Sequence, residues 1–417
     1  MKYARMKMNK HSVVSLRRSP VLLFFCMALI AAALPESTQA QEWRIEPIVK
    51  FGVEYDDNAT LRVRTDEEVG LEGLLLDLRA DIYYASATTS FFLQPRALLR
   101  SYPDEPDFDS DDYFLRSLFR YRGQVNTIGY FASFEQQSIR TAERLFSDLE
   151  IDDPDEITDD DSGRVFISGT RDRWRVAPYW DYKLSEISSV GARFDYSNVQ
   201  YEGVFAGILS DYTDMRLSLN YRRKISNVNT ALFELTARTF SSAGDDTDTN
   251  GYGVLAGFVH NLSEKTTLQA MFGAEDARKS GFSSDPQAVG YIRLTRNLET
   301  IRMFVQYRRS ISGSGAGNLA GRDSLSLNFR RRLNEKISAG LGVRAYTSSG
   351  IGGNISIDDR NYVQLQSSFR WYLSRSFVIE VDYRYTVNDR SATIGERANS
   401  NQVTLWFTYQ PKTTPRL

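Results

Sequence analysis

The fold is decided by residues 377–387, which read Phe-Val-Ile-Glu-Val-Asp-Tyr-Arg-Tyr-Thr-Val. Alternate positions from Phe377 to Val387 are apolar or aromatic, whereas Glu380, Asp382 and Arg384 lie between them. Successive side chains of a β-strand point to opposite faces of the sheet. This stretch is therefore predicted to be a strand with one apolar face and one charged face.

The same two-residue period recurs along the rest of the chain, in about eighteen segments. The segments are predicted to begin near Trp43, Leu71, Thr89, Asp112, Val125, Arg171, Ile187, Asp211, Asn229, Gly251, Lys265, Pro286, Glu299, Asp323, Lys336, Asn361, Arg375 and Ser400. Most of them are longer than the usual strand of a soluble protein. Their length suits strands that cross a bilayer at a tilt.

The connections between these segments alternate strictly between short and long. The short ones are 86–88, 123–124, 185–186, 226–227, 263–264, 297–298, 334–335 and 374–375; the long ones are 56–70, 102–111, 138–170, 198–210, 240–250, 277–285, 310–322, 347–360 and 388–399. Short periplasmic turns and longer external loops are typical of outer-membrane barrels. The sequence thus predicts an all-β, transmembrane, antiparallel up-and-down β-barrel with both termini in the periplasm. A soluble β-sandwich or repeat array would not need so many long, two-faced strands.

Aromatic residues are predicted to mark the two membrane interfaces, because they lie on the apolar face toward the ends of strands. They are Trp43, Tyr55, Tyr84, Tyr121, Trp180, Tyr182, Tyr221, Tyr307, Trp371 and Tyr409. Such girdles of aromatic side chains flank the apolar band of membrane barrels.

The N-terminus carries a targeting pattern. Basic residues up to Arg18 precede an apolar stretch from Val21 to Leu34, and Thr38-Gln39-Ala40 offers small residues for cleavage. At about 1.5 Å per residue the apolar stretch is too short to span a bilayer as a helix. We expect residues 1–40 to be a cleaved secretory signal peptide, 41–410 the outer-membrane barrel and 411–417 a short periplasmic tail. The first strand then starts so close to the cleavage site that no plug domain is expected before it.

Arginine dominates the polar face that would line the lumen. The candidate anion-binding residues are Arg79, Arg96, Arg116, Arg173, Arg193, Arg216, Arg302, Arg330, Arg344, Arg370 and Arg384. Two interpretations stay open. The arginines can pair with inward acids in a water-filled interior, or a surplus of positive charge can attract anions, as rings of Arg or Lys do in channels.

The external loops are acidic instead, with one block at 104–112 and another at 152–161. Solvated loops are the ordinary interpretation of such blocks. Calcium binding is possible chemically, but the spacing of an EF-hand is absent.

Catalysis, metal binding and cofactors are not expected. The whole chain has 2 histidines and 1 cysteine, and Cys26 lies inside the targeting segment. The remaining histidine within the barrel region, His260, is predicted on the outer face beside a periplasmic turn, where it cannot serve a nucleophile in the lumen. The protein is predicted not to be an enzyme.

The start of the predicted barrel, Glu46-Pro-Ile-Val-Lys-Phe-Gly-Val-Glu-Tyr-Asp-Asp-Asn58, resembles the beta-barrel porin 2 family. A first strand that ends in Tyr-Asp-Asp-Asn directly after a signal peptide carries this resemblance. Those outer-membrane barrels are often associated with exopolysaccharide or capsule loci, so the resemblance implies a role in handling a polysaccharide. The chain also has Trp406-Phe-Thr-Tyr409 near its end, similar to an assembly signal, although eight residues follow Tyr409.

The leading hypothesis is a porin-like channel with an arginine-rich lumen, a conduit or accessory for export of an anionic exopolysaccharide. The alternatives are a general diffusion porin and a structural or surface-interaction barrel with acidic loops. The expected partners are outer-membrane lipid and lipopolysaccharide, the barrel-assembly machinery, an anionic polysaccharide and periplasmic export proteins, with no nucleic acid.

Overall fold

A computed structural model describes residues 42–64, 66–144, 169–203, 209–243, 245–279, 286–351, 360–390 and 397–411. The predicted signal segment, the C-terminal residues 412–417 and the acidic block 152–161 lie outside these ranges. The strands are β1 Glu42–Asp56, β2 Leu71–Ala85, β3 Thr89–Ser101, β4 Ser110–Arg122, β5 Asn126–Ser138, β6 Thr170–Lys183, β7 Ser188–Glu202, β8 Tyr212–Lys224, β9 Asn229–Ser242, β10 Asp245–Ser263, β11 Thr266–Lys279, β12 Gln287–Asn297, β13 Ile301–Gly313, β14 Leu319–Arg332, β15 Ile337–Gly350, β16 Arg360–Tyr372, β17 Phe377–Arg390 and β18 Arg397–Tyr409. A 3₁₀ helix spans Pro106–Phe108, and one short α-helix, α1, spans Ile139–Ala142. No helix in the described ranges is long and apolar enough to cross a membrane.

The eighteen strands form one closed sheet, in which each strand pairs with its neighbours in sequence and β18 pairs with β1. The closing register is antiparallel and sets Phe51 opposite Phe407 and Val53 opposite Leu405. Closure leaves no strand edge open, which is the condition for a β-sheet to exist in a bilayer. The predicted fold class and strand number are confirmed.

The two faces of the strands have opposite chemistry, as the alternation predicts. On β18, the side chains of Leu405 and Phe407 are each 44% exposed on the outside, whereas Thr404 and Thr408 are buried toward the lumen. The predicted aromatic residues lie on the outer face as well, and Tyr55, Trp180, Trp371 and Tyr409 are each more than 40% exposed. An outer surface of exposed leucine, valine and aromatic side chains is built for contact with lipid.

Two predicted long connections are wrong in their bounds. Residues 240–250 were expected to form a loop, yet β9 runs to Ser242 and β10 begins at Asp245, with a register shift before Thr249. The connection predicted at 310–322 is also shorter than expected, since β13 ends at Gly313 and β14 begins at Leu319. Here the strands continue past the lipid-facing band, and Phe240, Ile311 and Leu319 are buried in a cluster with residues of other strands, so the simple alternation of one apolar and one polar face is lost.

The orientation of the barrel can be tested with inserted epitopes. An epitope placed after Asp66, in the long connection between β1 and β2, should be labelled by antibody on intact cells. An epitope after Glu335, in a short turn, should be labelled only after the outer membrane is permeabilised. Both insertions should be tolerated, because loop-closure cost rises slowly with length. The reverse labelling pattern would invert the topology.

Candidate functional site: the lumen and its outer closure

All the arginines predicted for the lumen lie on the inward face of their strands. Cross-strand pairs share a face of the sheet, and the register sets Arg79 opposite Arg96 and Arg302 opposite Arg330. The remaining registers place the other predicted arginines on that same face. The predicted inward position of these arginines is therefore correct. Whether they bind anions depends on the acidic groups that lie near each of them.

On β2 to β11, several lumen arginines meet carboxylates. Arg96 forms a two-pronged pair with Asp77, with N–O distances of 2.8 and 2.9 Å. Arg193 pairs with Asp195 at 2.8 Å and Arg216 with Glu275 at 3.2 Å. Arg79 lies 3.4 Å from Asp81, and Arg173 lies 4.0 Å from Glu135. These five arginines act as salt-bridge partners, which was one of the two interpretations.

The wall formed by β12 to β16 is different. These five strands are described over their full length, and their lumen-facing positions hold no aspartate or glutamate. The arginines on this face, called here the basic wall, are Arg293, Arg302, Arg308, Arg322, Arg330, Arg332, Arg344, Arg360 and Arg370. The strands contain one acid, Asp323, and its place opposite Arg309 is on the outer face. Positive charge in the lumen is thus concentrated on one side of the barrel.

Contacts along the basic wall involve amides and aromatic rings. Arg293 donates to the Gln306 amide oxygen at 2.6 Å, and Arg360 donates to Asn388 at 2.5 Å. The guanidinium of Arg322 lies 4.2 Å from the centre of the Tyr346 ring. Arg370, at the edge of the wall, pairs with Glu380 of β17 at 2.5 Å. These contacts hold the side chains in place along the lumen face.

The pair Arg302 and Arg330 has an energetic cost. Like charges directly opposite each other on adjacent strands are destabilising. The next strand places Gly340 opposite Arg330, which leaves room for the two guanidinium groups in the lumen. A purely structural wall would gain stability from a carboxylate at either position.

The outer mouth contains a segment that folds inward, which the sequence analysis did not anticipate. Residues 139–144 follow β5, begin with α1 and are buried, with Ile139 and Glu143 at 0% exposure. The turn into the lumen is set by Asp112 of β4, whose carboxylate accepts from the Ser138 amide at 2.8 Å and from the Thr141 hydroxyl at 3.2 Å. The Ser138 hydroxyl also accepts from the Thr141 amide, which caps the short helix.

Arg144 ties this segment to the seam between β1 and β18. Its guanidinium donates to the Asp56 carboxylate and to the Ser400 hydroxyl, each at 2.5 Å, and to the Ala59 carbonyl at 3.2 Å. Burial by itself would lower the pKa of the guanidinium, but the Asp56 carboxylate outweighs that effect and raises the pKa of Arg144. The group therefore stays charged.

Two further contacts fix the same segment. The Glu143 carboxylate accepts from Arg171 of β6 at 3.2 Å and from the Tyr201 hydroxyl of β7 at 2.9 Å. Arg140 donates to the Tyr102 hydroxyl at 3.1 Å, and that hydroxyl donates to Glu54 at 2.8 Å. Burial, and next the nearby Glu54 carboxylate, raise the pKa of Tyr102, which keeps the phenol neutral. Residues 139–144 thereby contact β6 and β7 on one side and β1 and β18 on the other. We call these residues the inward strap.

The Tyr55-Asp-Asp-Asn58 motif acquires a structural meaning here. Asp56 holds the inward strap, as described, and accepts from Ser400 at 2.8 Å. Asp57 accepts from the backbone and the side chain of Asn401, both at 2.7 Å. The Asn58 amide donates to the carbonyls of Arg62 and Asn399 at 2.7 and 2.9 Å. The motif therefore closes the outer end of the β1–β18 seam and anchors the strap.

A second element narrows the outer mouth from another side. The tip between β13 and β14 reaches the connection before β8, where the Ser210 amide donates to the Gly315 carbonyl at 2.8 Å. A side chain at Gly315 would collide with the Tyr201 hydroxyl. Gly317 has φ of 82°, a conformation that favours glycine. The glycine- and serine-rich composition of this tip is explained by its close approach to neighbouring strands.

His260 lies on the outward face of β10 near its periplasmic end, as predicted, and contacts the Asn229 side chain at 2.6 Å. Within the described part of the chain, no group of three or more His, Cys, Asp or Glu side chains is placed to hold a metal ion.

Several charged lumen residues were missed by the sequence analysis. Arg293, Arg322 and Arg360 lie on the lumen face but were left out of the candidates, because the segments around them were treated as weak or as loop. Arg140, Glu143 and Arg144 were assigned to a long external loop. Their spacing of three and four residues, after the capping pair Ser138 and Thr141, was a signal for a helical turn with one charged face.

No protein-family model matches the chain, and no curated protein matches it in sequence. Among solved structures, the outer membrane channel DcaP of Acinetobacter baumannii is similar with a TM-score of 0.44 and 12% identity, covering 90% of this chain and 99% of that chain. OpdQ of Pseudomonas aeruginosa has a TM-score of 0.44 and 9% identity, covering 88% and 97%. The siderophore receptor PirA of Pseudomonas aeruginosa has a TM-score of 0.40 and 11% identity, covering 88% and 80%. Likenesses at these scores do not identify a function, and the resemblance to the beta-barrel porin 2 family stays a prediction.

The closed fold and the outer surface of the molecule identify its class. A closed β-barrel satisfies every strand edge, and its outer surface is an apolar band flanked by aromatic side chains. A sheet of this kind is stable where lipid surrounds it. The chain is an integral β-barrel of the outer-membrane type, with an arginine-lined lumen in which the wall formed by β12 to β16 has no aspartate or glutamate at its lumen-facing positions.

Proposed function

We propose that this chain is an outer-membrane channel for anions, and that it serves as a conduit or accessory for export of an anionic exopolysaccharide. The basic wall carries the proposal. In a lumen enclosed by a low-dielectric sheet, an array of like charges raises the local concentration of counter-ions. Arginine also binds carboxylate and phosphate groups through two parallel hydrogen bonds. A series of such groups along five strands offers an acidic solute successive contacts.

The charge pattern separates this function from two others. A general diffusion porin needs water and width, and it gains nothing from placing Arg302 opposite Arg330 at a cost in stability. A purely structural barrel would pair its inward arginines with carboxylates, as Arg96, Arg193 and Arg216 do here. The export role adds the family resemblance of the first strand to this charge pattern, and it supplies the class of solute.

The test is ion selectivity in planar lipid bilayers. Under a salt gradient, the reversal potential of the wild-type protein should show a preference for chloride over potassium. Replacing Arg302, Arg330 and Arg344 together by Gln should bring that preference close to unity. The matched triple Lys variant keeps the charge and should keep the preference. High salt should weaken it in the wild type, since screening at 0.1 M acts over about 10 Å.

Clear cation selectivity, or an anion preference unchanged by the triple Gln variant, would overturn the proposal. For the export role, a strain without the gene should lose surface polysaccharide. The wild-type gene and the triple Lys variant should restore it, and the triple Gln variant should not. Restoration by the Gln variant would show that the basic wall has no part in export.

A further inference from the structure

The lumen face of β2 to β6 carries an apolar row that a water-filled interior does not require. The register sets Tyr83 opposite Phe92, Phe92 opposite Leu118, and Leu118 opposite Phe131. Phe131 is in turn opposite Ala177. The four larger side chains are only partly buried, so their rings and methyl groups face the lumen. Interiors of membrane barrels are ordinarily polar, which makes this row an exception.

Charged groups are interleaved with the rings of this row. The Tyr83 and Phe92 rings contact each other with centroids 4.9 Å apart. The Arg116 guanidinium lies between the next two rings, 6.0 Å from the centre of Phe92 and 5.8 Å from that of Phe131. Arg175 lies 5.4 Å from Phe131 on the far side. Such cation–π contacts hold the guanidinium groups beside the rings, and Arg175 also pairs with Asp195 at 3.3 Å.

The rows on either side complete an amphipathic stripe. On the outer side, Gln94 is opposite Arg116, and Ser133 is opposite both Arg116 and Arg175. On the periplasmic side, Arg120 donates to the Tyr179 hydroxyl at 3.0 Å, and Gly129 between them leaves space for that ring. A single apolar row therefore runs between two rows of hydrogen-bonding groups.

We infer that this stripe, residues Tyr83, Phe92, Leu118 and Phe131 with Arg116 and Arg175, is a binding site for an acidic saccharide chain. A sugar ring presents a flat face of C–H groups and an edge of hydroxyl or carboxylate groups. The face packs on aromatic rings, and the edge accepts hydrogen bonds from guanidinium groups. A small inorganic anion would make no use of the rings, and a lipid chain would make no use of the guanidinium groups.

The size of the stripe agrees with a chain of several sugars. Neighbouring strands lie about 4.8 Å apart, so a row across five strands extends for roughly 19 Å. The site deepens the proposed function, on which it rests, by naming the class of solute and a second wall that contacts it. The basic wall attracts the acidic groups of the solute, whereas the stripe packs against the flat faces of its sugar rings.

The experiment measures binding of a defined saccharide. Hexagalacturonate serves as the acidic probe and maltohexaose as the neutral one, by current block in planar bilayers and by calorimetry on detergent-solubilised protein. Wild type should bind hexagalacturonate, and maltohexaose more weakly. The Phe92→Leu/Phe131→Leu variant keeps an apolar row but removes the ring faces, so its Kd for hexagalacturonate should rise by about tenfold or more. Its chloride preference should not change, since every arginine remains.

Phe304→Leu is the matched control, because Phe304 also faces the lumen but lies on β13. Its Kd should equal that of wild type, and a heat-dependent gel shift should report that all variants fold. An unchanged Kd in the double Leu variant, or equal binding of both probes, would overturn the inference. Absence of binding in an anion-selective wild type would overturn it too, and would leave the proposed function standing. Cation selectivity would instead remove the proposed function.

Discussion

Replacing Leu405 by Arg is expected to prevent most of the protein from assembling. Leu405 is 44% exposed on the outer face of β18, opposite Val53 and Val381, which are also exposed. It lies several residues from the periplasmic end of the strand, within the apolar band. A charge on the lipid face near mid-bilayer costs about 2–4 kcal/mol. That cost falls on β18, which must pair with β1 to close the barrel, so the closed form should become scarce.

Thr404→Arg is the matched control, one residue away and on the lumen side. Thr404 lies opposite Glu54 on β1 and opposite Asp382 on β17, so a guanidinium there meets acidic neighbours instead of lipid. The measurement is the fraction of protein that migrates as the compact folded form on unheated gels after refolding into lipid vesicles. A high folded fraction for Leu405→Arg, equal to that of Thr404→Arg, would mean that the assignment of the two faces is reversed.

The barrel itself was predictable from the sequence, because one physical rule governs it. Lipid excludes charge, so every strand must separate its apolar and polar side chains between two faces, and the period survives over the whole length. The outward faces of β17 and β18 could be foreseen from Phe377, Val381 and Phe407. The same rule explains where prediction stopped. Beyond the apolar band, as at the end of β9, side chains such as Phe240 are buried by contacts with other strands, so alternation no longer separates a lipid face from a lumen face.

The candidate site was predictable only in part. Which arginines face the lumen follows from alternation, and Arg302, Arg330 and Arg344 were identified in this way. Which of them are neutralised depends on which strand lies alongside and on the register of the pairing, as Arg96 and Asp77 show. Alternation within one strand does not reveal that register. The inward strap depends on contacts between residues far apart in sequence, such as Arg144 with Asp56 and Ser400. No local pattern encodes those contacts.

Replacing Arg144 by Gln is expected to raise the conductance of the barrel markedly, to about twice the wild-type value or more. The Arg144 guanidinium and the Asp56 carboxylate are both almost fully buried, with side-chain exposures of 3% and 0%. Removing one partner of a buried ion pair costs about 3–5 kcal/mol, because the other charge remains in place. The barrel wall has many other contacts, whereas the strap depends on a few, so the strap should be the part that gives way. The measurement is single-channel conductance at fixed salt, and the folded fraction should stay near that of wild type.

Asp56→Asn should act in the same direction, since Arg144 loses its counter-charge, whereas the remaining amide oxygen can still accept from Ser400 and Asn58. The Arg144→Gln/Asp56→Asn double variant should then raise conductance little more than either single change, because both break one interaction. Arg64→Gln is the control for arginine loss at the outer mouth. Its partner Asp66 and Arg64 itself are each 70% exposed, and ion pairs in water contribute little, so conductance should not change. If all these variants conduct like wild type, the strap lies beside the path of the ions, and the passage must run past it along the basic wall. If the effects of the two single changes add in the double variant, Arg144 and Asp56 hold the strap through separate contacts, and Ser400 and the Ala59 carbonyl become the groups that secure Arg144.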